Sequence, residues 1–216
     1  MSRYDIAIFD LDGTLLDTTE GILAAQKHTI REMGFDMPND EELKSFIGPP
    51  VQDAFAKAYG LEGPILQEIA TVFRNFYSTE TLLLAKAYDG IFELLAELRR
   101  RGVTPAVATY KREDYALRLL KHFGFDEYTD VMFGGDHENK LKKKDIIEKC
   151  IAAAGIKDLG RAVMIGDTEL DANGAEAIGI DFIGVTYGFG FKTLDDVKKV
   201  KSVGGADSAP ELLNYF

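Results

Sequence analysis

Short unbroken apolar runs alternate along this chain with longer stretches in which apolar residues recur every three or four positions. The first run, Tyr4-Asp5-Ile6-Ala7-Ile8-Phe9, has the content and length of a buried parallel strand. A long helical stretch follows. Ile22, Ala25, Thr29, Ile30 and Met33 share one face, with Thr18 or Thr19 placed to cap its start. Pro38-Asn39-Asp40 opens a short helix that Gly48-Pro49-Pro50 breaks, and Leu66, Ile69, Ala70, Phe73 and Tyr77 mark a third, longer face. Residues 17–83 therefore read as an all-helical insert.

From Tyr88-Asp89-Gly90 onward the rhythm becomes helix, strand, helix. Ile91, Leu94, Leu95 and Leu98 make a helix ended by Gly102, and Thr104 to Thr109 a strand. A helix through Ala116, Leu119, Leu120 and Phe123 stops at Gly124, before a strand near Val131-Met132-Phe133. Ile147, Cys150, Ile151 and Ala154 line the next helix. Arg161 to Ile165 is a strand, Leu170 to Ile178 a helix and Asp181 to Val185 another strand. Such alternation predicts right-handed βαβ units and an α/β fold, a doubly wound, Rossmann-like parallel sheet. The expected division is a core of residues 1–16 and 84–216 with an all-helical cap of residues 17–83.

Acids gather where these strands end. Asp10 and Asp12 follow the first strand, with Gly13 turning the chain away and Thr14 beyond it. Like charges that close raise each other's pKa unless a cation neutralises them, and hard oxygen ligands favour magnesium. One carboxylate can then attack while the other handles protons. A later strand ends in Thr109-Tyr110-Lys111, a hydroxyl and backbone N–H groups suited to a phosphate oxygen. The run Lys140, Lys142, Lys143, Lys144 opens the Cys150 helix, and Ile165-Gly166-Asp167-Thr168-Glu169-Leu170-Asp171 closes the next strand with more acids. In a parallel sheet these strand ends share one rim, so distant residues converge there. Acids, a hydroxyl and a lysine on that rim suit magnesium-assisted phosphoryl transfer.

Composition narrows the partners. A net charge of -11 over 216 residues argues against nucleic acid and anionic membranes. No apolar run approaches the roughly 20 residues of a membrane span. Arg3 is soon followed by Asp5 and Asp10 with no small-residue cleavage site, so no signal peptide is expected and the chain reads as cytoplasmic. Cys150 is the single cysteine and falls on a core-facing helical position; His28, His122 and His137 are scattered, so a zinc site is not expected. Gly188-x-Gly190 lacks a third glycine for a dinucleotide site and reads as a flexible rim loop. No heptad seam or edge patch chooses between a monomer and a homodimer.

The four rim motifs together resemble the haloacid-dehalogenase-like superfamily of phosphohydrolases. Asp10 to Thr14 matches its Asp-x-Asp-Gly-Thr motif, Thr109 its hydroxyl at a strand end, one lysine its third motif, and Gly166, Asp167 and Asp171 its Gly-Asp-x-x-x-Asp. The resemblance implies that Asp10 is the nucleophile and that Asp12 protonates the leaving oxygen and later deprotonates water. It implies that Thr109 and Lys143 hold the phosphate, with Lys144 the alternative lysine. Magnesium would be bound by Asp10, the main-chain carbonyl of Asp12 and Asp167, with Asp171 supporting that shell. Gly13, Thr14 and Tyr110 belong to the expected substrate-binding set, as do Gly48, Pro49 and Arg74 of the cap. The insert's position matches the subgroup with a C1-type cap. Phe46 to Pro50 and Gly184 to Gly190 resemble its phosphoglycolate phosphatase and 5'-nucleotidase-like branches. Tyr110 departs from the Ser or Asn usual after the second motif. The implied substrate is a small phosphorylated metabolite. A β-phosphoglucomutase-like phosphomutase and a non-catalytic phospho-acceptor module are the rival readings.

Overall fold

The computed structural model describes residues 2–47, 50–137 and 140–216. It divides into two compact units, one formed by Met1–Asp17 with Ala87–Phe216, the other by Thr18–Lys86.

The first unit holds the expected parallel sheet. Its strands are β1 (Ile6–Phe9), β4 (Thr104–Arg112), β5 (Met132–Gly135), β6 (Ala162–Gly166), β7 (Asp181–Val185) and β8 (Gly204–Ala206). They run side by side in the order β5-β4-β1-β6-β7-β8, each pair parallel. The short strands β2 (Leu16–Asp17) and β3 (Lys86–Ala87) form a separate two-stranded ribbon. All four residues of β1 are buried, so the sheet is covered on both faces, as a parallel sheet requires. On one face Ile6, Ile8, Ala106, Ala108 and Met164 pack with Ile146, Ile147 and Cys150 of α7 (Lys143–Ala153) and with Ala172 and Ala175 of α8 (Glu169–Ile178). The remaining core helices are α5 (Ile91–Arg100), α6 (Glu113–His122) and the short α9 (Leu194–Val197). The first strand is shorter than the expected Tyr4 start: Tyr4 is buried, but its hydroxyl donates to Asp181 at 2.7 Å rather than extending the ladder.

The second unit is helical, with α1 (Thr19–Glu32), α2 (Asp40–Lys44), α3 (Val51–Tyr59) and α4 (Ile65–Phe76), followed by a π-turn over Tyr77–Thr81. Ile30, Leu43, Phe46, Ala54, Phe55 and Ile69 form its own core. Helix α3 was not anticipated. It is only nine residues long, and its buried set is just Ala54 and Phe55, too few to declare a helical period. No helix among the described residues is long and apolar enough to cross a membrane.

Candidate active site

The sheet register builds the site. Phe9 pairs with Val107 of β4 and with Ile165 of β6, so the carboxyl ends of these central strands lie level. Asp10 extends β1 by one step, its N–H donating to the Ile165 carbonyl at 2.9 Å, and Asp167 directly follows β6. Asp171 stands in the first turn of α8 and Lys143 is the first residue of α7. The Lys143 ammonium lies 2.5 Å from Asp10 Oδ1 and 2.6 Å from Asp171 Oδ1. Oxygens of Asp10, Asp167 and Asp171 all fall within 4.8 Å of one another, and all three side chains are buried. Three clustered carboxylates, two of them paired with one ammonium, leave two negative charges unbalanced when all are ionised. That donor set of hard oxygens and that charge fit a divalent cation such as magnesium.

The electrostatics follow from this crowding. Burial, aided by Asp171, Asp167 and Asp12 and opposed by Lys143, pushes the Asp10 carboxyl up to about 7. Burial and Asp171 push Asp167 up to about 6, against the pull of N–H groups from Gly190 and Phe189. Burial alone would lower Lys143, but Asp10 and Asp171 outweigh it and hold the ammonium above the usual lysine range. One cation is therefore locked in its charged form among acids that are short of another.

Asp167 is fixed on every side. Its Oδ2 accepts from the N–H groups of Phe189 at 2.7 Å and Gly190 at 3.1 Å, and its Oδ1 from the Thr14 hydroxyl at 3.3 Å. Gly13 has φ +84°, and a Cβ there would run into the Asp167 carboxylate. Side chains at 188 and 190 would also collide with Asp167. These contacts bear on three expectations. Thr14 is fully buried with its hydroxyl on Asp167, and Gly13 leaves room for the Asp167 carboxylate. The Gly188–Gly190 stretch is no loose rim loop, since its main chain clamps a carboxylate. Tyr187 adds to the same support, its hydroxyl donating to the Thr14 carbonyl at 3.1 Å.

The remaining predicted residues are spread more widely. Thr109 is buried, and its Oγ1 accepts from the Lys111 N–H at 3.1 Å. Strand β4 continues past the expected end at Thr109 to Arg112. Tyr110 is 40 % exposed and its hydroxyl accepts the Lys143 N–H at 2.9 Å, so the phenol caps the start of α7. Lys144, the alternative lysine, is exposed. Arg74 stands part-buried on α4 of the helical unit, and Gly48 and Pro49 lie outside the described residues. Asp12 is paired with a lysine that sequence reasoning missed: Lys111 Nζ lies 3.0 Å from Asp12 Oδ1.

A parallel α/β sheet carrying buried acids, a lysine and a hydroxyl at its carboxyl edge belongs to the class of proteins whose site suits phosphoryl chemistry. The sequence model of the haloacid dehalogenase-like hydrolases matches residues 7–185, and the chain belongs to that family. It is 35% identical over 209 residues to the tyrosine-protein kinase PtkA of Mycobacterium tuberculosis, covering 96% of this chain and 70% of that one. It is 35% identical over 189 residues to a 5'-nucleotidase of Pseudomonas aeruginosa, covering 87% of this chain and 85% of the relative. A haloacid dehalogenase-like hydrolase structure from Streptococcus pneumoniae superposes with a TM-score of 0.90 at 29% identity, over 100% of both chains.

Proposed function

We propose that the protein is a magnesium-dependent phosphatase that hydrolyses a small phosphomonoester through an aspartyl-phosphate intermediate. The observation that carries this reading is the buried cluster of Asp10, Asp167 and Asp171, with the Lys143 ammonium paired to Asp10 and Asp171. An ionised Asp10 oxygen attacks phosphorus, and the new O–P bond forms as the ester P–O bond breaks. The Asp12 carboxyl gives its proton to the departing oxygen, and the alcohol leaves. Water then attacks the phosphoryl group while the Asp12 carboxylate takes its proton. The aspartyl O–P bond breaks, releasing phosphate and restoring Asp10. Lys143 and the Thr109 segment hold the phosphoryl oxygens throughout. Asp10, Asp167 and the main-chain carbonyl of Asp12, with Asp171 behind them, would hold magnesium, which would supply positive charge for the phosphoryl oxygens.

The substrate class is a compact phosphorylated metabolite of the phosphoglycolate or nucleoside monophosphate kind. The test is release of free phosphate from a phosphomonoester panel, with p-nitrophenyl phosphate as reference, in magnesium and in EDTA. Turnover should require magnesium and vanish in Asp10→Asn. Full activity in that variant would overturn the nucleophile. Label passing to another acceptor, such as the tyrosine implied by the mycobacterial relative's name, in place of free phosphate would overturn hydrolysis.

A further inference from the structure

We propose that Lys111 is a positioning residue for Asp12, setting the orientation in which that carboxyl hands its proton to the leaving group. The inference rests on the reading of Asp12 as general acid and goes beyond it, because Lys111 belongs to none of the motifs that carry the family resemblance.

The ion pair is placed by an irregularity in the sheet. Ala108 pairs with Phe133 and Arg112 with Gly135, so four steps along β4 span only two along β5. The surplus residues bow out of the ladder, and such bulges re-aim side chains beside functional sites. Two glycines opposite make the room. A Cβ on Gly134 would lie 2.6 Å from the Lys111 carbonyl oxygen, and one on Gly135 2.7 Å from that of Tyr110. The Lys111 N–H is tied to the Thr109 hydroxyl, which fixes the start of its side chain. Its ammonium then reaches Asp12 Oδ1 at 3.0 Å with the lysine side chain only 8% exposed, against 22% for Asp12. An ammonium that deep is costly unless paired, so the position is built for a cation facing an acid.

The consequence is directional. A carboxyl group that donates a proton must present the correct oxygen to the departing one, and an ion pair on one oxygen sets its rotation. Lys143 is engaged elsewhere, its ammonium paired with Asp10 and Asp171. The two lysines thus divide their work between the nucleophile and the acid.

The experiment compares the parent, Lys111→Met and Asp12→Asn on phosphomonoesters whose leaving groups run from p-nitrophenol through phenol to a simple alcohol. The ratio kcat/KM reports the steps through alcohol release, so it isolates proton donation from the later attack by water. General acid catalysis is worth roughly 10²–10⁴-fold where the leaving group needs a proton. Lys111→Met should therefore lose about tenfold or more on the alkyl ester and less than about threefold on p-nitrophenyl phosphate. Its slope against leaving-group pKa should steepen toward that of Asp12→Asn, and the double variant should lose little beyond Asp12→Asn alone. Lys111→Gln, which keeps length and a donor, should fall between parent and Lys111→Met. An equal loss on every ester, or no loss, would overturn the proposal while the phosphatase reading stands. Failure of both lysine variants to fold would also overturn it, in favour of a structural role. A parent inert on every ester would instead sink the phosphatase reading itself.

Discussion

Replacing Asp10 with asparagine should end turnover and, without a divalent cation, make the protein more stable. The variant removes one of three clustered buried carboxylates, and one of the two that share the Lys143 ammonium. Burial first, then the neighbouring acids, hold the Asp10 carboxyl at about 7 against the pull of Lys143, whereas in the unfolded chain it titrates near 4. Between those values the folded protein keeps a proton that the unfolded chain has released. The resulting contribution to stability is fully present below about pH 4 and is lost as pH rises through about 7. A displacement of that size corresponds to about 4 kcal/mol at pH 8, of which about 2 kcal/mol accrue between pH 5 and 7. Asparagine carries no charge at any of these pH values and escapes that loss.

The assay is thermal unfolding of parent and Asp10→Asn in EDTA from pH 5 to 8. For a chain of this size 1 kcal/mol moves Tm by about 2–4 °C, so the variant's advantage should widen by about 4–8 °C between pH 5 and 7 and then level off. Saturating magnesium should narrow the gap, because a bound cation supplies the parent with the charge its acids lack and stabilises it by mass action. A gap that stays flat across the pH range, or a variant less stable than the parent at pH 8, would refute the crowded-acid account.

Two further outcomes test the surroundings of this cluster. Gly190→Ala should lower stability by about 1–3 kcal/mol and weaken magnesium binding, because its Cβ would overlap the Asp167 main chain and disturb the N–H pair on Oδ2. Unchanged melting and unchanged magnesium titration would refute the clamp. Cys150 is fully buried and burial pushes its thiol up to about 12, so iodoacetamide at pH 8 should label it only as fast as the protein unfolds; rapid labelling of the native protein would refute that burial.

What could be read from the sequence, and what could not, divides between side-chain identity and main-chain direction. Lys143 stands three, four and seven positions before Ile146, Ile147 and Cys150, all buried on the sheet, so it shares their inward face while Lys144 points to water. The family resemblance made that choice, and helical spacing agrees with it. The convergence of Asp10 and Asp167 needed only parallel strands in a level register. Lys111 was beyond such rules, because the irregularity that aims it lies in how β4 meets β5, not in either strand alone. Strand β8 was missed because Gly204, Gly205 and Ala206 carry almost no apolar signal. The clamp on Asp167 is the sharpest case. Its strongest donors are the N–H groups of Phe189 and Gly190, and every residue but proline owns such a group. Gly13 read as a turn and Gly188 and Gly190 as a rim loop, yet their place in the fold lets main chain approach a carboxylate more closely than any Cβ allows. The aim of Lys111 at Asp12 and the hold of backbone amides on Asp167 are therefore properties of the folded main chain, and they set how those two carboxylates are presented.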